Sequence, residues 1–395
     1  MINEIYAKYH GIEDEQWLSI LLDSIHKNKI DGIEFPGFPD EQTQINFVGS
    51  ANENTIQEIW PYYRTVRKIA QENGVLFDEN TRLLDVGSGW GRVIRFFLKD
   101  IHPDNLYGMD TMQSSVDLCN DFFNNILNFR NITTMPPTDF NDAWFDLIEG
   151  YSVVSHLSRH SGLMWLDEYY RLLKPGGIIA LTVWKCTHFN YITEWQRTIQ
   201  KSEGYQSLIS QIYTPECVIE KKIFNTLGFD YKSYGGGGIE GNEEITYGEA
   251  IMSQDYIKKY WCRHFDFISY VDAPELAQAL VVLQKPIKNE LSSCVDEIRQ
   301  EQYDMLKQMD RMNGITFEIA TGFQNVLDKN KTLKTDMGNE NDNIQFTPAV
   351  GYKKLTVNHA RAAIRAFRNG LSRKIGSNSY LSKMKNLFHQ KKEEK

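Results

Sequence analysis

The segment Leu83-Leu84-Asp85-Val86-Gly87-Ser88-Gly89-Trp90-Gly91-Arg92 constrains this chain more than any other. A short apolar run enters a turn with glycine at alternate positions, and Val93-Ile94-Arg95-Phe96-Phe97-Leu98 follows with a helical pattern. Glycines at a strand-to-helix turn permit positive φ and let a ligand approach the backbone with no Cβ in the way. A nucleotide-like cofactor is the natural occupant of such a loop. The dinucleotide fingerprint GxGxxG would need a glycine where Arg92 stands, and the acidic Asp85 sits at the strand end. The DxGxGxG spacing therefore favours S-adenosylmethionine over a nicotinamide dinucleotide.

The surroundings of this loop set the fold class. Between Arg82 and about Lys285, short apolar runs alternate with helical patterns, the mark of βαβ units and a mostly parallel sheet. The spacing predicts strands over 82–86, 105–109, 145–149, 178–184, 265–270 and 278–283. The last two are separated by only a short turn, so they are expected to pair as an antiparallel hairpin, because a parallel pair needs a crossover of about a dozen residues. Asp110 stands at the tip of the second strand, where a carboxylate accepts hydrogen bonds from both ribose hydroxyls of an adenosyl group.

Residues from about 80 to 185 resemble class I S-adenosylmethionine-dependent methyltransferases. The resemblance rests on the Asp85 to Gly91 loop, Asp110, the run Trp144-Phe145-Asp146-Leu147-Ile148-Glu149-Gly150-Tyr151-Ser152, and Arg171-Leu172-Leu173-Lys174-Pro175-Gly176-Gly177. More narrowly, Gly91-Arg92-Val93-Ile94-Arg95, Met135-Pro136-Pro137 and Ser152-Val153-Val154-Ser155-His156-Leu157 resemble bacterial and phage enzymes often associated with glycan modification. The resemblance implies an α/β fold with a Rossmann-like sheet, a helical N-terminal cap and a helical C-terminal extension. Gly87, Gly89 and Gly91 would line the methionine part of the cofactor, Asp85 would orient that loop and the amino group, and Asp110 would hold the ribose. Glu149, Gly150 and Tyr151 would lie where cofactor and acceptor meet. Many relatives read the adenine amine with an acidic residue after the third strand. Here Met135-Pro136-Pro137 stands there, leaving Asp139 as a weak substitute and implying apolar and backbone recognition.

Methyl transfer from a sulfonium is an in-line displacement, so alignment and water exclusion do most of the work. A hydroxyl acceptor also needs a general base, whereas an amine needs only deprotonation and alignment. His156, expected to begin the helix after Tyr151-Ser152, is the candidate base. His160, a turn further on, and His188, after the fifth strand, are the other histidines near that end of the sheet. Phe189, Tyr191, Trp195, Tyr205, Tyr213, Tyr231 and Tyr234 precede Gly235-Gly236-Gly237-Gly238. They read either as a lid that stacks on a sugar ring or as core beside a surface loop. Ser253 is the expected N-cap of a helix ending near Trp261.

The remaining organisation comes from pattern and charge. Residues 1–80 read as the helical cap, with a helix over 55–72, and residues 81–286 as the methyltransferase domain. Residues 287–328 read as a helical segment, either a coiled coil or a single helix, in which 287–312 carry an apolar seam that suits either homo-oligomerisation or packing on its own domain. Residues 329–350 read as a linker. Residues 351–395 hold twelve Lys and Arg against two Glu, while the whole chain has net charge −9. In that tail Ala363, Ile364, Phe367 and Leu371 share one helical face and Arg361, Arg365 and Arg368 another, which fits an anionic membrane surface. The acidic body argues against nucleic acid reaching the catalytic site. Five cysteines without a CxxC pair indicate neither a zinc cluster nor a disulfide framework, so no metal is expected. With no signal peptide and no apolar span of about 18 residues, a cytoplasmic protein, peripheral to the membrane through its tail, is the expectation. The acceptor is expected to be a hydroxyl of a sugar or glycan precursor. Methylation of nucleic acid, protein or a small metabolite, or a scaffold that merely retains cofactor, are the alternatives.

Overall fold

The computed structural model describes residues 2–199, 204–234 and 247–287. The expected C-terminal helix, linker and basic tail, with the glycines at 235–238, lie outside the described residues.

Four helices, α1 (Ile2–Tyr9), α2 (Asp14–His26), α3 (Glu41–Val48) and α4 (Glu53–Glu72), open the chain, with a two-stranded β1 (Lys29–Ile30) and β2 (Ile33–Glu34) between the second and third. In α4 the buried Ile56, Ile59, Tyr62, Tyr63, Val66 and Ala70 recur every three or four residues, so one stripe of the helix faces the sheet. The main sheet then builds from β3 (Leu83–Val86), β4 (Leu106–Asp110), α5 (Gln113–Phe122), β5 (Asn128–Asn131), β6 (Phe145–Gly150), α6 (Arg159–Leu172) and β7 (Leu173–Val183). A smaller lobe follows, made of α7 (His188–Thr198), α8 (Tyr205–Ile212), α9 (Val218–Leu227), β8 (Phe229–Ser233) and β9 (Gly248–Met252). Helix α10 (Gln254–Tyr260) leads into β10 (Asp266–Val271) and β11 (Ala279–Gln284). Ser253 does cap α10, its Oγ accepting the Tyr256 N–H at 3.1 Å.

Seven strands lie in the order β10-β11-β7-β6-β3-β4-β5. The five from β7 to β5 are parallel, β11 pairs antiparallel with β7, and β10 pairs antiparallel with β11. The terminal hairpin is thus where the short connection placed it. Strand β5 was not anticipated: its sequence Asn-Phe-Arg-Asn is polar because it is the sheet edge and only half-buried. The segment after the glycine loop also differs from expectation. Ile94–Lys99 is a 3-10 helix with every residue buried, so it has no solvent face on which an amphipathic α-helix could settle.

Apolar cores lie on both faces of the sheet. One is shared by α1, α2, α4 and the 94–99 segment, the other by α6, α10 and the hairpin. The N-terminal helices are therefore continuous with the sheet core. They are also tied to it by buried charge. Lys99, with no exposed surface, reaches Asp14 at 3.0 Å and Asp100 at 2.9 Å, Arg67 Nε donates to Asp100 at 2.9 Å, and the Tyr63 hydroxyl donates to Asp100 at 2.5 Å. Trp17 adds an indole N–H to the Phe96 carbonyl at 2.8 Å. No helix among the described residues is long and apolar enough to cross a membrane.

Removing one partner of such a network strands a buried charge, at about 3–5 kcal/mol. Asp100→Ala is expected to lower the urea unfolding free energy by roughly that amount, and an unchanged midpoint would show that the network is energetically neutral.

Candidate active site

Strand order reverses between β3 and β6, since the chain moves outward to β4 and β5 on one side and to β6 and β7 on the other. A crevice opens at the carboxyl ends of strands at such a switch point. A cavity of about 630 Å³ is found there. Its floor is the glycine loop. Gly87, Gly89 and Gly91 all have positive φ (67°, 53° and 79°). A Cβ on Gly87 would stand 2.6 Å from Val153, and one on Gly91 2.5 Å from the Phe123 ring. Gly87 and Gly89 line the cavity, whereas Gly91 turns its bare face to Phe123 and Cys119 beneath it.

Asp110 lines the cavity at the tip of β4. Its Oδ2 accepts the Gly89 N–H at 2.9 Å and its Oδ1 the Met112 N–H at 2.8 Å, so one carboxylate joins the glycine loop to the β4–α5 turn. Burial raises its pKa against these stabilising donors. Each oxygen keeps a second lone pair for a ligand. Beyond it Met112, Ile132 and Thr134 form a wall without an acid. Asp139 is not part of that wall: it is exposed and pairs with Arg130 at 2.9 Å.

Asp85 and Glu149 are register partners on β3 and β6 and face the cap side of the sheet, away from the cavity. Both are fully buried, and the Tyr62 hydroxyl donates to Glu149 Oε2 at 2.9 Å. Burial first, then mutual repulsion, pushes Glu149 well above the usual carboxylate range, and burial pushes Asp85 up to about 7. Asp85 also accepts the Ile94 N–H behind the glycine loop. Glu149 and Gly150, expected where cofactor and acceptor meet, sit within the strand instead, because side chains of β6 alternate and the Glu149 face is covered by α4. Tyr151 does line the cavity. Its hydroxyl donates to Glu58 at 2.7 Å, and Arg92 lies over its ring at 5.2 Å.

His156 also lines the cavity, but from a single 3-10 turn (Val154–His156) and not from a helix start; α6 begins later, capped by Ser158. Its Nδ1 lies 3.0 Å from the Gly248 carbonyl, which can only accept, so Nδ1 carries the hydrogen. In the neutral ring Nε2 is then a free lone pair, 3.4 Å from Ser152 Oγ. Gln278 Nε2 donates to the same Ser152 Oγ at 2.7 Å, and Ser155 Oγ lies 3.5 Å from it. His160 is exposed on α6, outside the cavity lining. His188 is buried, stacked on Trp184 with ring centres 4.0 Å apart.

The aromatic run before the glycines divides between both expectations. Trp195, Tyr205 and Tyr234 join Trp184 and Tyr247 as walls of the cavity, whereas Phe189 and Tyr213 are core of the small lobe. Glu249, on β9, was missed by sequence reasoning. It has no exposed surface and lies 2.8 Å from His188 Nε2 and 3.7 Å from His156 Nδ1; Tyr205 donates to it at 2.9 Å and Tyr234 also donates to it. Burial would raise its pKa, but these neighbours hold it below the ordinary value. No local signal marked it, since Gly-Glu-Ala-Ile-Met reads as an unremarkable strand.

Residues 84–181 match the family model described as a methyltransferase domain. The chain carries a class I S-adenosylmethionine-dependent methyltransferase domain. The chain is 24% identical over 143 residues to the phosphoethanolamine N-methyltransferase of Plasmodium falciparum, covering 34% of this chain and 53% of that protein. It thus spans about half the length of this curated relative. Two solved structures are similar in part. An S-adenosylmethionine-dependent methyltransferase from Clostridium acetobutylicum is 11% identical, with TM-score 0.37 and coverage of 62% of this chain and 96% of that one. A 1,6-didemethyltoxoflavin-N1-methyltransferase from Burkholderia thailandensis, with bound S-adenosylhomocysteine, is 12% identical, with TM-score 0.37 and coverage of 70% and 91%. The methyltransferase domain thus contributes the glycine floor and Asp110, while the small lobe supplies the aromatic walls and Glu249.

The Asp85–Glu149 pair gives the domain a pH-dependent stability. Both carboxyls have raised pKa values in the fold, so their contribution is complete below the unfolded values of 3.8 and 4.5 and is lost as pH rises through the folded values, about 7 for Asp85. Glu149→Gln keeps the shape and removes one ionisation. Its melting temperature is expected to gain on the wild type between pH 5 and pH 8 by roughly 2–4 °C, which about 1 kcal/mol produces in domains of 150–250 residues. Parallel curves in differential scanning calorimetry would rule out a raised pKa at Glu149.

Proposed function

We propose that the chain is an S-adenosylmethionine-dependent methyltransferase that methylates a hydroxyl of a sugar or glycan precursor. The residues present fit that cofactor. The floor at Gly87 and Gly89 leaves no Cβ between backbone and ligand, Asp110 keeps lone pairs for a ribose, and Met112 and Ile132 offer an apolar wall to an adenine. The cofactor supplies an electrophilic methyl group on a positively charged sulfur, which leaves as a neutral thioether when an acceptor atom takes the methyl.

The observation that carries the acceptor reading is the fixed hydrogen on His156 Nδ1, held by the Gly248 carbonyl. It turns a basic Nε2 toward Ser152 and the cavity, where a hydroxyl can surrender its proton as its oxygen attacks. Trp184, Trp195, Tyr205 and Tyr247 provide flat apolar surface on which a sugar ring stacks. A second reading is an amine acceptor. The curated relative is named an N-methyltransferase, and aromatic walls also hold cations. Against it, the carboxylate behind those walls is fully buried and occupied by tyrosine and histidine partners, so it faces no ligand.

Isothermal calorimetry with S-adenosylmethionine tests the cofactor. Asp110→Ala is expected to weaken binding about 10- to 100-fold, the loss of about 1.5–3 kcal/mol for hydrogen bonds to a charged group. Transfer of labelled methyl to a panel of monosaccharide glycosides tests the acceptor, with His156→Ala expected to lower turnover about 10²- to 10⁴-fold at saturating cofactor. Undiminished turnover in that variant, or transfer to amines alone, would overturn the hydroxyl reading.

A further inference from the structure

His156 does not stand alone. On the Nδ1 side of the ring lies a layer of groups drawn from four separate elements, its tyrosines also lining the cavity. Glu249 comes from β9, His188 from the start of α7, Tyr205 from α8, and Tyr234 and Tyr247 flank the ends of β8 and β9. The groups converge on one carboxylate. Glu249 Oε1 takes the Tyr205 hydroxyl at 2.9 Å and lies 2.8 Å from His188; Oε2 takes the Tyr234 hydroxyl and lies 3.7 Å from His156 Nδ1. The Tyr234 oxygen is itself 3.1 Å from Nδ1, so it bridges acid and imidazole. The Tyr247 ring packs 5.3 Å from the imidazole. The opposite nitrogen, Nε2, lies 3.4 Å from Ser152 Oγ, to which Gln278 donates.

We propose that Glu249 is the positioning residue of this site, stabilising the imidazolium that forms when His156 Nε2 takes the acceptor's proton, while the Gly248 carbonyl holds the Nδ1 hydrogen. This rests on the reading of His156 as the base. The proton would pass from the acceptor hydroxyl to Nε2 as the oxygen–methyl bond forms and the methyl–sulfur bond of the sulfonium breaks, its electron pair staying on sulfur, and would later leave the imidazolium for water. In that interval the ring is positive and its Nδ1 lies 3.7 Å from a buried carboxylate. A negative charge in a water-poor setting favours the charged ring far more than one in solvent does. Glu249 never touches the reacting atoms. The tyrosines and His188 set how much of its charge His156 senses, because every hydrogen bond donated to the carboxylate dilutes it.

This predicts two opposite effects. Glu249→Gln removes the charge and lowers the His156 titration midpoint by roughly one pH unit, a tenfold loss of proton affinity. Tyr205→Phe removes one donor to Glu249 without touching His156, and so raises the midpoint. Both are read by NMR of the full chain labelled with ¹⁵N-histidine, with His156→Gln assigning the signal. A midpoint that is unchanged in Glu249→Gln, or that falls in Tyr205→Phe, overturns the proposal; a merely structural acid would not move the two variants in opposite directions. If circular dichroism shows Glu249→Gln to be unfolded, the direction of the Tyr205→Phe shift decides alone. The failures separate cleanly. Full methyl transfer by His156→Ala removes the base but leaves the titration coupling, whereas loss of transfer in His156→Ala with no coupling removes only Glu249.

Discussion

The placement of β3 at the centre of the sheet, with the chain leaving it in both directions, is the constraint on which the rest depends. Loops from β3 and β6 diverge above their shared register, so backbone must open there and a crevice results. Glycine at 87 and 89 deepens that opening because the backbone itself becomes the wall. Every polar group of the site is then positioned relative to this one gap. Asp110 closes it from β4, Tyr151 and Ser152 follow from β6, and His156 enters from the turn beyond.

Burying the sheet on both faces forces several ionisable groups into places without water, and the fold settles each by pairing. Asp85 and Glu149 lie side by side under Tyr62, which donates to Glu149. Asp100 collects Lys99, Arg67 and Tyr63. Glu249 collects two tyrosines and a histidine. In the first two cases a partner comes from α4, so the N-terminal helices do more than cover the sheet: without them Glu149 would lose the Tyr62 hydroxyl and Asp100 would keep only Lys99. The third case puts the same solution beside the cavity, where a well-satisfied carboxylate bears on the chemistry of its neighbour.

Much of this could be read from residue order. The loop from Asp85 to Gly91 needed only the rule that glycine allows close backbone approach, and Asp110 followed from its place at the end of the next apolar run. The hairpin of β10 and β11 followed from the brevity of the connecting turn. Strand β5 was hidden because Asn128–Asn131 lies at the sheet edge and carries no apolar pattern. The 3-10 geometry of Ile94–Lys99 was hidden because burial on every side leaves no polar face to set a period. Glu149 and Glu249 were misread or missed for one reason: a strand residue's face depends on what packs against the sheet, and that packing comes from distant parts of the chain.

The sequence by itself determined the class of fold and the floor of the site, since both rest on local rules: apolar runs of strand length, turn lengths, and glycines where Cβ would intrude. The tertiary structure alone decided which carboxylate faces what. Asp85 and Asp110 both end strands beside the same loop, yet one is sealed under α4 and the other lines the cavity. His156 acquires a defined tautomer only because the Gly248 carbonyl, far along the chain, comes to lie against its Nδ1. Hydrogen-bond direction and charge burial depend on spatial neighbours, and those exist only once the lobe of β8 and β9 has folded against the sheet.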